Sequence, residues 1–145
     1  MAAVDGVDEL IERYDLALEE FVRGNPEPVK ELFSPREDVT LANPLFPVGH
    51  GWEEVAERLE RAAATLSDGE TADFEIVEKY VTPELAYVVR IERQQVKIGG
   101  SEGLAPIALR VTMICQPEED GTWKVVHRHA DPITIPRPAE SMIQQ

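Results

Sequence analysis

Gly121-Thr122-Trp123-Lys124-Val125-Val126-His127-Arg128-His129-Ala130-Asp131 is the stretch whose reading decides the fold. It is rich in Val, His and Trp, and it follows Pro117-Glu118-Glu119-Asp120-Gly121, a cluster of turn formers. Those two features predict a strand, Thr122–Ile133, entered from a tight turn. Side chains alternate along a strand, so straight alternation places Trp123, Val125, His127, His129 and Asp131 on one face. Upstream, Thr71–Tyr80, Ala86–Ile98 and Ala105–Gln116 have the same Val, Ile, Tyr and Thr bias. The breaks between them, Thr82-Pro83-Glu84 and Gly99-Gly100-Ser101-Glu102-Gly103, are short. Breaks of that length join antiparallel neighbours, because a parallel crossover needs about a dozen residues or more. Downstream, Pro132, Pro136 and Pro138 cannot join the centre of a sheet, so residues 134–145 form an extended C-terminal arm.

The first half has the other period. In Val7–Arg23, residues Leu10, Ile11, Tyr14, Leu18, Phe21 and Val22 recur at helical spacing, and Gly24-Asn25 closes the segment. Pro26 and Pro28 open a short second helix with Val29, Leu32 and Phe33 on its apolar side, ended at Ser34-Pro35. Asp38–Ala42 is a short strand, and Asn43 to Gly51 is a loop dense in Pro and Gly. Trp52–Leu66 is the clearest helix, with Val55, Leu59, Ala62, Ala63 and Leu66 opposite a charged face. Three helices followed by a long antiparallel sheet give an α+β arrangement in one domain, residues 1–145, with its core at about 7–133. Three short helices cannot seal strands of ten or more residues. The expected shape is a cone of curved antiparallel sheet, open at its wide end, with a pocket between helices and sheet.

Composition narrows the partners. The 145 residues carry 14 Lys and Arg against 28 Asp and Glu, a formal charge of −14, while 43% are hydrophobic. That balance supports a folded core and argues against nucleic acid, which needs a positive footprint, and against an anionic membrane. The acids in Met1–Asp15 do not suit a signal peptide, so the expected location is cytoplasmic. The single Cys115 excludes an internal disulfide and a thiolate-rich metal site. No phosphate loop, nucleophile elbow or dinucleotide fingerprint is present, and no cofactor is expected.

The Gly121–Asp131 strand resembles the final strand of the nuclear transport factor 2-like superfamily, nearest its SnoaL-like and ketosteroid-isomerase-like bacterial proteins. The kinase association domain of that superfamily also ends on a Trp, Val-His-x-His strand. Further matches are Asn43-Pro44, Gly51-Trp52-Glu53 and Leu109-Arg110-Val111-Thr112, so the resemblance runs from Val7 to Asp131. It implies a cone-shaped, cystatin-like α+β barrel, a pocket at its open end and a homodimer formed through the sheet. It implies no single reaction. The isomerases of the superfamily pair an Asp base with a Tyr and a protonated Asp. Tyr14 matches the helix-one Tyr, whereas Asn43 stands where a base is expected.

Several side chains carry candidate chemistry. His129 with Asp131, and His127 beside them, are the expected acid–base set. As metal ligands the same three lack a partner at short range, and no metal site is expected. Arg90 and Glu92 share one parity, and Arg110 and Thr112 another pair of positions on the next strand. Inside the cone they would bind a carboxylate or enolate; outside, they would be a solvated face or a dimer contact. The opposite parity, Tyr87, Val89 and Ile91 with Leu109, Val111 and Met113, is apolar and belongs either to the core or to an interface. His50, between two glycines, Asn43, Trp52 and Tyr14 are ligand-lining candidates. Their plainer readings are an exposed loop imidazole, a turn former before Pro44, a helix anchor and a core aromatic. Two functions follow. One is a pocket for a hydrophobic small molecule, extending to cofactor-independent isomerase, cyclase or dehydratase chemistry. The other is a non-catalytic ligand carrier or homodimeric assembly module.

Overall fold

A computed structural model describes residues 2–144; Met1 and Gln145, the ends of the expected domain and arm, lie outside the described residues. The order of elements is α1 (Ala2–Phe21), α2 (Glu27–Leu32), β1 (Thr40–Ala42), β2 (Gly49–His50), α3 (Trp52–Ala64), β3 (Leu66–Val81), β4 (Ala86–Ile98), β5 (Ala105–Pro117) and β6 (Trp123–Asp131). The strands form one curved, unclosed sheet in the order β2-β1-β6-β5-β4-β3. The β3–β4–β5–β6 part is antiparallel, as the short breaks require. β1 runs parallel to β6, which departs from the wholly antiparallel expectation. The chain can do this because α3 and four strands separate β1 from β6 in sequence, ample length for a crossover.

Helix α1 buries Val7, Leu10, Tyr14, Ala17 and Leu18, which fall at intervals of three, four, three and one. Helix α3 buries Val55, Leu59, Ala62 and Ala63 in the same way. α1 packs on β3 and β6, and α3 on β1, β2 and β3, so the core lies between the helices and one face of the sheet. No helix is long and apolar enough to cross a membrane among the described residues. Residues 134–144 are almost wholly exposed and include a 3₁₀ turn at Ala139–Met142.

Four register shifts interrupt the sheet, three between β3 and β4 and one between β5 and β6, and two of them bear on the site. β3 begins at Leu66, earlier than the composition suggests; near its start Asp68 takes a left-handed φ of 54° and the ladder with β4 slips between Ser67 and Glu70. Gly69 then donates to the Val22 carbonyl at 3.0 Å. A Cβ at Gly69 would lie 2.5 Å from that oxygen, so a larger residue cannot make the approach. The second irregularity is in β6. Ile114 pairs with His127 while Cys115 pairs with Val125, which leaves Val126 as one extra residue. A bulge of this kind switches the faces of everything beyond it. Trp123 and Val125 are buried, and after the bulge the buried residues are Arg128 and Ala130. The expected single face of Trp123, Val125, His127, His129 and Asp131 is therefore corrected: the bulge divides it in two.

Candidate functional site

A cavity of about 310 Å³ lies between the helices and the inner face of the sheet. That is near the lower end of the roughly 300–1,000 Å³ range of small-molecule sites. α1 supplies Tyr14, Leu18 and Phe21; α3 supplies Leu59 and Ala62; β4 supplies Gln94, Val96 and Ile98. Ile107 and Leu109 come from β5, Arg128 and Ala130 from β6, and Asn43, Pro44 and Leu45 from the loop after β1. Alternation explains each choice: even positions of β4 and odd positions of β5 face inward, and on β6 the bulge turns even positions inward.

Behind the cavity runs a ladder of four charges, three of them buried. Asp15 pairs with Arg90 Nη1 at 2.5 Å. Arg90 Nε donates to Glu92 Oε2 at 2.9 Å. Arg128 reaches across from β6 and grips both oxygens of Glu92, Nη1 to Oε2 at 3.0 Å and Nη2 to Oε1 at 2.7 Å. Arg90 Nη2 also lies 2.9 Å from Glu92 Oε2, but out of alignment for a hydrogen bond. Arg90 and Glu92 are both 0% exposed and Arg128 is 6% exposed. Side chains two apart on a strand point the same way, which brings Arg90 and Glu92 together. Rings back the guanidinium groups: Phe74 lies 4.5 Å from Arg90 and Tyr14 lies 5.2 Å from Arg128. Burial pushes the Glu92 carboxyl upward, yet Arg128 and Arg90 together hold it below the usual range. Asp15, with one strong partner, stays above its usual range because burial outweighs Arg90.

Two lining residues have buried polar atoms without a partner, Tyr14 Oη and Gln94 Oε1. Burial pushes the Tyr14 hydroxyl up to about 12, so it stays protonated and able to donate. Buried polar atoms are nearly always paired, so these two are exceptions within the packed wall. Two other polar groups in the wall have partners within the protein. Thr65 Oγ1 donates to Ala62 O at 2.7 Å. Asn43 Oδ1 accepts from the amides of Leu45 and Phe46 at 3.1 and 3.2 Å, the turn-forming role.

The remaining candidates lie elsewhere. His127, His129 and Asp131 are on the outer face of the sheet, opposite the cavity, and not on an interior wall. His127 Nδ1 lies 2.7 Å from Thr40 Oγ1, and burial together with His129 lowers its proton affinity. His129 Nε2 stands 3.3 Å from Asp131 Oδ2, and Arg110 Nε donates to Asp131 Oδ1 at 2.7 Å. Arg110 therefore does not meet Arg90 and Glu92: it opposes Ile91, and Glu92 opposes Leu109. The inward placement of Arg90 and Glu92 holds, but they grip Arg128 and Asp15 instead of an open anion site. The apolar parity divides too, with Leu109, Val111 and Met113 inside and Tyr87, Val89 and Ile91 outside. His50 is exposed on β2 and Trp52 is half-buried at the start of α3; neither lines the cavity. Arg128, Gln94 and Asp15 did not stand out in the sequence. The available signal was charge and amide at Arg90, Glu92 and Gln94, three successive same-face positions on a strand face that is otherwise Ala86, Val88, Val96 and Ile98.

No family model and no curated protein matches this chain. Solved structures do. A nuclear transport factor 2-like superfamily protein from Salmonella enterica superimposes with a TM-score of 0.75 at 16% identity, covering 92% of this chain and 93% of that one. A ketosteroid isomerase-like protein from Erwinia carotovora gives 0.73 at 18% identity, with coverage of 88% and 94%. A Streptomyces avermitilis protein of the same family, provisionally named a dehydratase, gives 0.73 at 20% identity, with coverage of 92% and 98%. Together with the helix-backed, unclosed sheet and its internal cavity, these likenesses establish that the chain has the nuclear transport factor 2-like fold.

Proposed function

We propose that this protein binds a hydrophobic small molecule in the cavity between α1, α3 and the inner face of the sheet. The observation that carries the reading is the cavity itself, about 310 Å³ walled mainly by Leu, Val, Ile and Phe. Binding is favoured over proton-transfer catalysis. Among the described residues, no Asp, Glu or His lines the cavity, so an isomerase, cyclase or dehydratase would have only Tyr14 as a proton-handling group there. The expected His129–Asp131 acid–base pair would act only on something held at the outer face.

Naphthalene is a suitable first ligand. In a titration followed by methyl NMR, resonances of Leu18, Leu59, Val96 and Leu109 are expected to shift, and those of Val89 and Ile91 to stay. His129→Ala is expected to leave that titration unchanged. Shifts confined to the outer face, or none, would remove the pocket reading.

A second reading, assembly as a homodimer through the sheet, has its own support. On the outer face Tyr80 stacks on Tyr87 with ring centroids 5.5 Å apart, beside half-buried Val89, Ile91 and Ile114. Tyr80 is 54% exposed, a large aromatic left facing solvent. Sedimentation equilibrium is expected to give a dimer that Tyr87→Lys converts to monomer; a monomeric parent protein at high micromolar concentration would count against it.

A further inference from the structure

We infer that a second site, the groove between α1 and the turn joining β5 to β6, binds a compact zwitterion: a molecule of amino-acid size with one carboxylate and one ammonium group. The groove offers about 300 Å³ and shares no lining residue with the cavity, so the inference stands independently of the pocket reading. Gly6, Glu9 and Arg13, at intervals of three and four, form one stripe of α1 along it, and Asp120, Thr122 and Trp123 form the other wall.

Trp123 is the decisive residue. It is 6% exposed, and its indole N–H has no hydrogen-bond partner among the described residues. Nε1 is nevertheless not one of the unpartnered atoms sealed from solvent, so the N–H keeps an opening. Trp123 borders the groove and not the cavity, so that opening is onto the groove. Gly6 permits the arrangement, since a Cβ there would lie 2.8 Å from Nε1. A buried indole N–H usually finds an acceptor, and here only an occupant of the groove can supply one. In the same groove the exposed Arg13 makes no ion pair with any described residue. A free guanidinium and an open N–H are donors for a carboxylate. Glu9 is likewise unpaired among the described residues. Asp120 Oδ1 accepts from the Thr122 amide at 2.9 Å, a bond that holds the carboxyl below its usual range and keeps it ionised. Two carboxylates against one guanidinium leave an excess of negative charge, which opposes a simple anion. A simple cation leaves Arg13 and the indole N–H unanswered. A zwitterion suits both sets, with its carboxylate on Arg13 and Trp123 Nε1 and its ammonium on Glu9 and Asp120.

The chain has two tryptophans, and Trp52, on α3, is a built-in control. Their indole N–H resonances can be followed in ¹H–¹⁵N spectra at pH 7 and constant ionic strength. L-Alanine is titrated beside propionate, which lacks its ammonium, and ethylammonium, which lacks its carboxylate. Alanine is expected to shift the Trp123 signal saturably and leave Trp52 in place, with an affinity at least about tenfold above that of either fragment. Arg13→Met and Glu9→Gln, both at exposed positions, are expected each to weaken alanine at least about tenfold. A Trp123 signal that alanine does not move would overturn the inference. So would propionate or ethylammonium matching alanine, or alanine binding untouched by both substitutions. None of these results bears on the cavity.

Discussion

Replacing Glu92 by Gln is expected to destabilise the protein by about 3–5 kcal/mol, because it keeps the shape of the side chain but leaves two buried guanidinium groups sharing a neutral amide. That is a large part of the roughly 5–15 kcal/mol typical of a folded domain. Arg90 keeps only Asp15, whose side chain is 33% exposed, and Arg128 loses both of its ionic contacts. Urea denaturation reads the effect as a fall in midpoint with little change in slope. A loss below 1 kcal/mol, the value of an exposed pair, would show that the ladder is not sealed from water.

The same substitution changes the pH profile. The folded-state affinity of Glu92 for a proton lies below the ordinary value of 4.5, so its contribution is present above that pH and lost as pH falls through the lowered value. In Glu92→Gln that acid limb disappears. Asp15 has the opposite sign: its folded value is raised above 3.8, so its contribution is lost as pH rises through the raised value. His127, lowered from 6.5, adds a separate loss of stability on acidification that begins near that ordinary value and survives the substitution. Stability measured from pH 7 down to pH 3 distinguishes the limbs.

Closing the cavity is expected to have the larger effect on binding. Ala62 is 6% exposed, lies on α3 and lines the cavity. In Ala62→Phe a phenyl ring projects into the 310 Å³ space and competes with any ligand for it. Naphthalene affinity is expected to fall by at least about a hundredfold, or ~2.7 kcal/mol. Stability is expected to move by no more than about 1–2 kcal/mol, since filling a void offsets the strain of overpacking. Unchanged affinity in a folded Ala62→Phe protein would place the ligand elsewhere.

The helices and the antiparallel strands were legible because each depends on a local period. The stripe Leu10, Tyr14, Leu18 and the run Tyr87–Ile91 show their periods whatever they pack against. The faces of the strands were less legible, because facing is decided by neighbours. Arg90 and Glu92 read equally well inward or outward, and only pairing with Arg128 makes the inward placement tolerable. Arg128 itself was hidden by the extra residue at Val126. Straight alternation from the buried Trp123 turns it to solvent and turns His127 and His129 inward, and a register slip of one is not written in side-chain composition. β2, only Gly49 and His50, is too short to carry any period, and its pairing with β1 comes from the turn that Asn43 caps.

The Val126 bulge has an evolutionary corollary. Loss of that one codon would restore unbroken alternation without moving a single face: His127 would follow Val125 directly and stay outward with His129 and Asp131, while Arg128 and Ala130 would stay toward the hollow. Descendants of this scaffold can thus shed the irregularity by a single deletion and keep the guanidinium-backed hollow, with the helices untouched.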